Sequence, residues 1–474
     1  MHPTPTPPAA SSPTILSAFG PLLLGLRAAC KQERTWQRLL VLWCGALVNL
    51  GCQRLSQVIV ATGHGDADWT AWYRLFNRER VDWNRAQGQL VLELCAELER
   101  DDPLVVVLDA TQLPRTGTRM PGIGWGRNPF NPAWKPGIWR SQRWVGLHGL
   151  LPRSVDGQSR AMPLRFVPAP SPKTTPGMTP CPEWQAGLKL LKWVRGVLST
   201  HGQAHRPILV LGDGAYANAK LLAALPARTI LLARCAKNRA LFALPGSQPA
   251  RGRKRCYGER LPTPHQVLTS AHPIQTVPIL VRGRALPLRV QVLGPALVRP
   301  VAQRPVFVLV VHGVKDAGSH RRREATYLLV TAAADGAGGW RLPLPLVELL
   351  SWAWQRWEVE VLHRAIKSGF GLGQQQQWSA AGAKGAVHWI AWLAGALTLS
   401  GYRSWGTGVP TEGRTGAWWH PPRWTLATCL GAVRAEVWPL AEIQAVWSRS
   451  PENWHEMAAW FAPPQQVVHG YQRG

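Results

Sequence analysis

Leu104-Val-Val-Val-Leu-Asp109 and Ile208-Leu-Val-Leu-Gly-Asp213 are the stretches whose reading decides the fold. Each is an unbroken apolar run that closes on an aspartate. Neither alternates apolar with polar residues, which is the pattern of a strand buried on both faces. A third acidic residue, Glu360, sits in the helical stretch Trp354-Gln-Arg-Trp-Glu-Val-Glu-Val-Leu-His-Arg-Ala-Ile-Lys367. Two carboxylates at strand ends and a third on a later helix can converge on a pair of divalent ions. Such ions, roughly 3.5–4 Å apart, clamp the attacking and leaving oxygens of a phosphodiester.

Outward from these runs, residues 144–151 and 161–167 read as neighbouring strands and 183–200 as an amphipathic helix. A short helix at 217–225 and a buried strand at 229–233 follow. The β-β-β-α-β-α-β order of residues 101–235 fits the first part of a ribonuclease-H-like core in an α/β protein. Residues 236–342 change character: Gly, Pro and Arg punctuate short runs at 277–281, 286–293, 306–311 and 326–330, the signature of a β-rich insertion. Residues 343–402 return to helical patterns, at 344–368 and 386–402, and form the second part of the core with the Glu360 helix. Residues 15–100 form an N-terminal helical domain. Its helices are expected at 34–49 and 82–99, with further starts at Ser56 and at Asp68, an N-cap. Such a bundle can place a helix in a DNA groove, or serve only as structure. Residues 1–14, rich in Pro, Thr, Ser and Ala, read as disordered. Residues 403–474 form a Trp-rich C-terminal tail with helices at 426–438 and 451–461.

Composition narrows the partners. The 474 residues carry 54 Lys and Arg against 26 Asp and Glu, a formal charge of +28 spread over many segments. That excess points to nucleic acid. The longest apolar runs, 39–52 and 387–400, fall short of the ~20 residues of a spanning helix, so no membrane partner is expected. Residues 15–26 are apolar, but no basic segment precedes them and Pro21 interrupts them, a poor signal peptide. The eight cysteines show no Cys-x-x-Cys pair and no zinc spacing, as expected of reduced thiols in a cytoplasmic, nucleoid-associated protein. His148, His363 and His388 lie in apolar or helical surroundings and read as packing or surface residues, with His363 one turn from Glu360.

Two loops are nearly free of acid. Residues 111–160 hold Arg115, Arg119, Arg127, Lys135, Arg140, Arg143, Arg153 and Arg160 against Asp156 alone, with Trp125, Trp134, Trp139 and Trp144 interleaved. Residues 234–260 hold eight basic residues against Glu259. Phosphate contacts by the basic groups and stacking by the indoles are the expected use.

An Asp after a strand is commonly a turn or cap residue, and Asp213-Gly214 could simply turn the chain. The helix is more discriminating. At ~100° per residue, Arg356, Glu360 and Lys367 share a narrow stripe and Glu358 points nearly opposite. An exposed i,i+4 ion pair between Arg356 and Glu360 would also account for that spacing. The segment Arg356-x3-Glu360-x6-Lys367 resembles the YREK signature of DDE transposases from bacterial insertion sequences, Tyr-x2-Arg-x3-Glu-x6-Lys. Asp109-Ala-Thr111 resembles the first Asp motif of that family and Asp213-Gly-Ala-Tyr216 the second. Arg234-Cys-Ala-Lys-Asn-Arg239 and Arg251-Gly-Arg-Lys-Arg-Cys-Tyr-Gly258 resemble basic segments of its insertion. Ala353 stands where the signature has Tyr, which bears on the handling of the DNA end more than on the metal chemistry.

The resemblance implies Asp109, Asp213 and Glu360 as catalytic metal ligands, with Asp109 bridging two Mg²⁺ ions for which Mn²⁺ can substitute. It implies Arg356 and Lys367 on the DNA backbone, and Lys237, Arg239, Arg251, Arg253, Lys254, Arg255, Arg140 and Arg143 as further DNA contacts. The expected activity is that of a DNA transposase. It binds terminal inverted repeats of double-stranded DNA, cleaves the 3′ ends by two-metal hydrolysis, joins them to target DNA and acts as a dimer in the synaptic complex. Two rivals share these features: a domesticated, non-cutting DNA-binding protein, and a ribonuclease-H-like nuclease without strand transfer.

Overall fold

Leu104 to Leu108 are buried on both faces, and the reason lies in their neighbours. The computed structural model describes residues 13–437, apart from 118, 129–130, 133, 175–176, 247–252, 316–321, 376 and 409–422. The expected disordered start, the helix at 451–461 and Arg251 therefore lie wholly or largely outside the described residues. The described part falls into two compact units, divided between Leu90 and Val91 and between Val361 and Leu362.

Helices dominate the N-terminal segment: α1 (Ile15–Gly25), α2 (Glu33–Val48), α3 (Leu55–Ala61), α4 (Thr70–Asn77) and α5 (Trp83–Ala96). Asp68 is not the N-cap of α4. Trp69 takes that position, and Asp68 Oδ1 instead accepts from the Thr70 N–H at 2.9 Å.

The sheet begins with β1 (Leu104–Pro114), β2 (Ile123–Arg127), β3 (Ile138–Leu150) and β4 (Ala161–Pro168). Helix α6 (Glu183–Thr200) leads to β5 (Ile208–Gly212), and α7 (Ala219–Ala224) leads to β6 (Thr229–Arg234). β1, β5 and β6 are parallel, in register Leu108↔Gly212↔Ala233. β3 lies antiparallel on the other side of β1 and carries β2 and β4 on its far edge. This order, an antiparallel set beside three parallel strands joined by helical crossovers, is the ribonuclease-H-like sheet expected from the sequence.

After β6 come β7 (Leu241–Phe242), β8 (Arg260–Leu261), α8 (Pro264–Leu268), β9 (Gln275–Val281), β10 (Arg284–Val298) and β11 (Val301–Val311). Then follow β12 (Val314–Lys315), β13 (Arg322–Arg323), β14 (Thr326–Thr331), β15 (Ala333–Ala334) and β16 (Trp340–Arg341). β14 pairs antiparallel with β6, and β11 and β10 continue outward from it, so the same sheet reaches twelve strands among the described residues, while β12–β13 and β15–β16 pair apart from it. The remaining helices are α9 (Leu346–Gln355), α10 (Glu358–Gly369), α11 (Ala380–Trp405) and α12 (Leu426–Val437).

Two local expectations are corrected. Asp109 does not end its strand: β1 runs on to Pro114, paired with β3, and only the ladder to β5 stops at Leu108. The helix expected over 344–368 is broken at Arg356–Trp357, which separates α9 from α10. Neither Gly nor Pro marks that break.

α11 is the buried axis of the helical unit. Its Ser379 cap accepts from the Gly382 N–H at 3.0 Å, and most of its 26 residues are buried, as expected of a helix apolar all round. Despite that length, no helix among the described residues is long and apolar enough to cross a membrane. Trp392 Nε1 donates to the Ala86 carbonyl at 3.1 Å, and its ring lies 4.7 Å from that of Trp43. Replacing Trp392 by Leu removes the hydrogen bond and leaves part of the indole volume empty. A loss of about 2–4 kcal/mol is expected, read as a lower urea midpoint at an unchanged slope.

Candidate active site

The register of the parallel strands assembles the site. Leu108 and Gly212 are paired, so Asp109 and Asp213 come next at the same level on neighbouring strands, which lie about 4.8 Å apart. Gly212 in turn pairs with Ala233, which puts Arg234 at the same level on β6. Three adjacent strands thus present Asp109, Asp213 and Arg234 in a row at the carboxyl end of the sheet. Both aspartates are half-buried.

Asp213 opens a tight turn. Its Oδ1 accepts from the Ala215 N–H at 2.9 Å and its carbonyl from the Tyr216 N–H at 3.2 Å. The turn reading of Asp213-Gly214 is therefore correct as geometry, and it leaves the carboxylate at the sheet end. Tyr216 folds back under the turn and is 0 % exposed. A Cβ on Gly212 would come 2.8 Å from Tyr216 Cβ, so glycine is what admits the ring. Among the described residues the phenol hydroxyl has no hydrogen-bond partner. Burial pushes its pKa well up, and the charges of Glu183, Asp109 and Asp213 add to the shift while Arg143 opposes it.

Glu183 is the residue that the sequence does not single out. It is the first residue of α6, and its Oε1 lies 3.0 Å from an Arg143 guanidinium nitrogen. Burial raises its pKa, Arg143 lowers it, and the neighbouring Asp213 and Asp109 raise it further. A glutamate in a helix's first turn is ordinarily explained by the helix dipole, and its partner lies 40 residues away. Nothing in the local sequence reveals either. Arg143, expected on DNA, also donates from Nε to the Ala169 carbonyl at 2.8 Å.

Glu360 lies in α10, within the same unit as both aspartates. A cleft of about 580 Å³ is walled by Gly212, Arg234, Arg323, Trp354, Arg356 and Glu360 among others. Ala353, in place of the signature Tyr, is also on its wall, and Trp354 carries the Arg323 guanidinium 4.4 Å above its ring. Arg356 donates to Glu360 Oε1 at 2.8 Å, so the i,i+4 pair is present. Burial lowers the pKa of Arg234, Arg356 lowers it further, and Glu360 and Asp213 oppose that shift. Arg234 is thus within electrostatic reach of both acids. Glu358 and Glu360 differ sharply: Glu358 is 6 % exposed, whereas the Glu360 side chain is 47 % exposed. Lys367 lies further along α10 in the helical unit. Of the other expected DNA contacts, Lys237, Arg253, Lys254 and Arg255 are exposed, Arg239 and Arg140 are half-buried, and Arg140 sits 5.7 Å over the exposed Trp125 ring.

Among the described residues, no three His, Cys, Asp or Glu side chains are gathered closely enough to hold a metal ion as they stand. Electrostatics explains why. Carboxylates without a cation between them repel, and here Asp213, Glu183 and Glu360 each spend an oxygen on an N–H group of Ala215, Arg143 or Arg356. The donor chemistry nonetheless fits a hard divalent cation, since every candidate ligand is a carboxylate oxygen.

The half-buried Asp109 and Asp213 and the exposed Arg234, where the parallel ladders stop, lie where open α/β sheets place their functional groups. The chain belongs to the DDE superfamily endonuclease family, which it matches over residues 28–285, more than half its length. That family typically uses divalent metals. No curated protein matches the chain. Among solved structures, it is similar to a piggyBac transposase in a synaptic complex with hairpin DNA. The identity is 11 % and the TM-score 0.40, over 95 % of this chain and 82 % of that one. That likeness is too distant to carry an argument.

The Arg356–Glu360 pair is solvent-exposed on the Glu360 side and easily broken. Arg356→Gln should change folding stability by no more than about 0.5 kcal/mol, measured by chemical denaturation. A loss several times larger would show the pair to be a structural clamp.

Proposed function

We propose that the chain is a DNA transposase of the insertion-sequence type, cleaving element ends and joining them to target DNA. The observation that carries this reading is the pairing of Leu108 with Gly212, which sets Asp109 and Asp213 side by side, together with the cleft that Gly212 and Glu360 both line. The YREK-like segment and the charge of +28 support it.

Asp109, Asp213 and Glu360 would hold two Mg²⁺ ions, for which Mn²⁺ substitutes. Bound there, the ions supply Lewis-acid polarisation of a phosphate and an activated water or 3′-hydroxyl. The chain's own residues do the rest. Asp109 and Asp213 are set at one level by two adjacent parallel strands. Arg356, which holds Glu360 at 2.8 Å, also lines the cleft, where its guanidinium would suit a phosphate oxygen. Arg234, Arg323 and Arg356 line the cleft, and planar guanidinium groups suit bidentate phosphate contacts. Trp354 offers a face on which an unpaired base can stack. Exposed Lys237, Arg253, Lys254 and Arg255 would extend the DNA path, with Arg239 and Arg140 beside it; Arg251 and Lys367 are further proposed DNA contacts. Double-stranded DNA is the partner and a dimer the synaptic unit.

The two glutamates of α10 test the assignment of the third carboxylate. Glu360→Gln should fold with a loss of no more than about 0.5 kcal/mol yet cleave a labelled element end about 10³-fold more slowly or worse. Glu358→Gln, altering a buried group, should cost about 1–3 kcal/mol of stability and leave the folded enzyme's single-turnover rate near wild type. An active Glu360 variant beside an inactive, folded Glu358 variant would reverse the assignment. Asp109→Asn and Asp213→Asn should bind DNA and not cleave it. Strand-transfer products from the wild type exclude both a plain nuclease and a non-cutting protein.

The DNA path is tested by salt. Replacing Arg253, Lys254 and Arg255 with Ala should lower the slope of log affinity against log salt by about 0.9 for each phosphate that is no longer neutralised. An unchanged slope places the DNA elsewhere.

A further inference from the structure

Chain direction explains why Glu183 stands where it does. α6 crosses over between β4 and β5, and β5 runs parallel to β1. The helix therefore runs back along the sheet, with its first turn at the level where the β1–β5 ladder stops, beyond Leu108 and Gly212. Gly187 fixes the distance: a Cβ there would lie 3.1 Å from Leu108 Cδ1 and 3.1 Å from Tyr216 Cε1. Leu108 immediately precedes Asp109, and Tyr216 belongs to the Asp213 turn. Glu183 is four residues before Gly187, on the same helix face and about one 5.4 Å pitch nearer the strand ends. It is thereby carried to the level of the two aspartates, whose charges reach it.

A second observation points to a ligand. Tyr216, 0 % exposed and in van der Waals reach of the Gly187 position, has a hydroxyl without a hydrogen-bond partner among the described residues, and Glu183, Asp109 and Asp213 are close enough for their charges to act on it. A buried hydroxyl left unsatisfied is costly, and a bound water or ion is one way in which such a group is completed. A hydrated divalent cation between the carboxylates would do so, through its waters or by drawing one carboxylate onto the phenol.

We propose that Glu183 is a fourth carboxylate of this centre, a ligand of the divalent ion held by Asp109 and Asp213, and that Arg143 is its counter-ion when no ion is bound. The proposal rests on the reading of Asp109 and Asp213 as metal ligands. The plain alternative is a half-buried structural ion pair at the start of a helix. The two differ in what Arg143 does. As a counter-ion it competes with the metal, and as a structural partner it is worth the same as Glu183.

The test is calorimetric titration of Mn²⁺ into the full-length protein without DNA, with circular dichroism melts to confirm folding. Glu183→Gln should weaken Mn²⁺ binding by about tenfold or more. Glu183→Asp, which keeps the charge and the fold but shortens the reach, should weaken it comparably. Arg143→Gln, which breaks the same ion pair and leaves Glu183 in place, should bind Mn²⁺ at least as tightly as wild type. Wild-type affinity in Glu183→Asp, or equal losses in Glu183→Gln and Arg143→Gln, would overturn the proposal while Asp109→Asn still abolishes binding. If Asp109→Asn binds Mn²⁺ as wild type does, the acidic-centre reading itself falls, and this inference with it.

Discussion

The pairing of Leu108 with Gly212 is the constraint on which the rest depends. A parallel ladder fixes which residues emerge together where it stops, and a slip of one residue would turn every side chain to the other face. The apolar runs enforce this register because both strands are buried on both sides. Asp109 and Asp213 are thus held at one level by hydrophobic burial, not by any attraction between them. Two carboxylates on adjacent strands repel, and the core supplies what opposes that repulsion.

The same register draws in the positive groups. Arg234 follows Ala233, which pairs with Gly212, so a guanidinium stands one strand beyond the second carboxylate. Arg356 and Arg143 engage Glu360 and Glu183. Each outer carboxylate is therefore paired with an arginine, and the inner two are held by backbone and strand geometry. Of these two arginines Arg356 lines the cleft, whereas Arg143 lies at the start of α6 against Glu183.

Much of this is legible in the sequence, and what is not shares one cause. The buried strands show as apolar runs without alternation, and α6 is bounded to the residue because its amphipathic period is long and strong. The inserted strands show in their composition, but their continuation of the core sheet does not, since strand pairing is non-local. The apolar run stops at Asp109 and so suggests a strand end there. The strand continues because β3 still pairs with it after β5 has stopped. The break at Arg356–Trp357 carries no Gly or Pro, so helical composition runs straight through it. Helix geometry still sets Glu360 apart from Glu358, and their different exposure agrees with that.

Glu183 shows how far such reading can go. Its role cannot be seen along the chain, because a first-turn glutamate is common and its neighbours in space come from β1, β3 and the turn after β5. What brings it to the aspartates is a glycine one turn later, whose missing Cβ lets the helix settle against Leu108 and Tyr216. Gly212 does the same for the Tyr216 ring from below. Two glycines with ordinary backbone angles thus set how closely a helix and a ring approach the sheet end. A Cβ at either position would press on Tyr216, and at Gly187 on Leu108 as well.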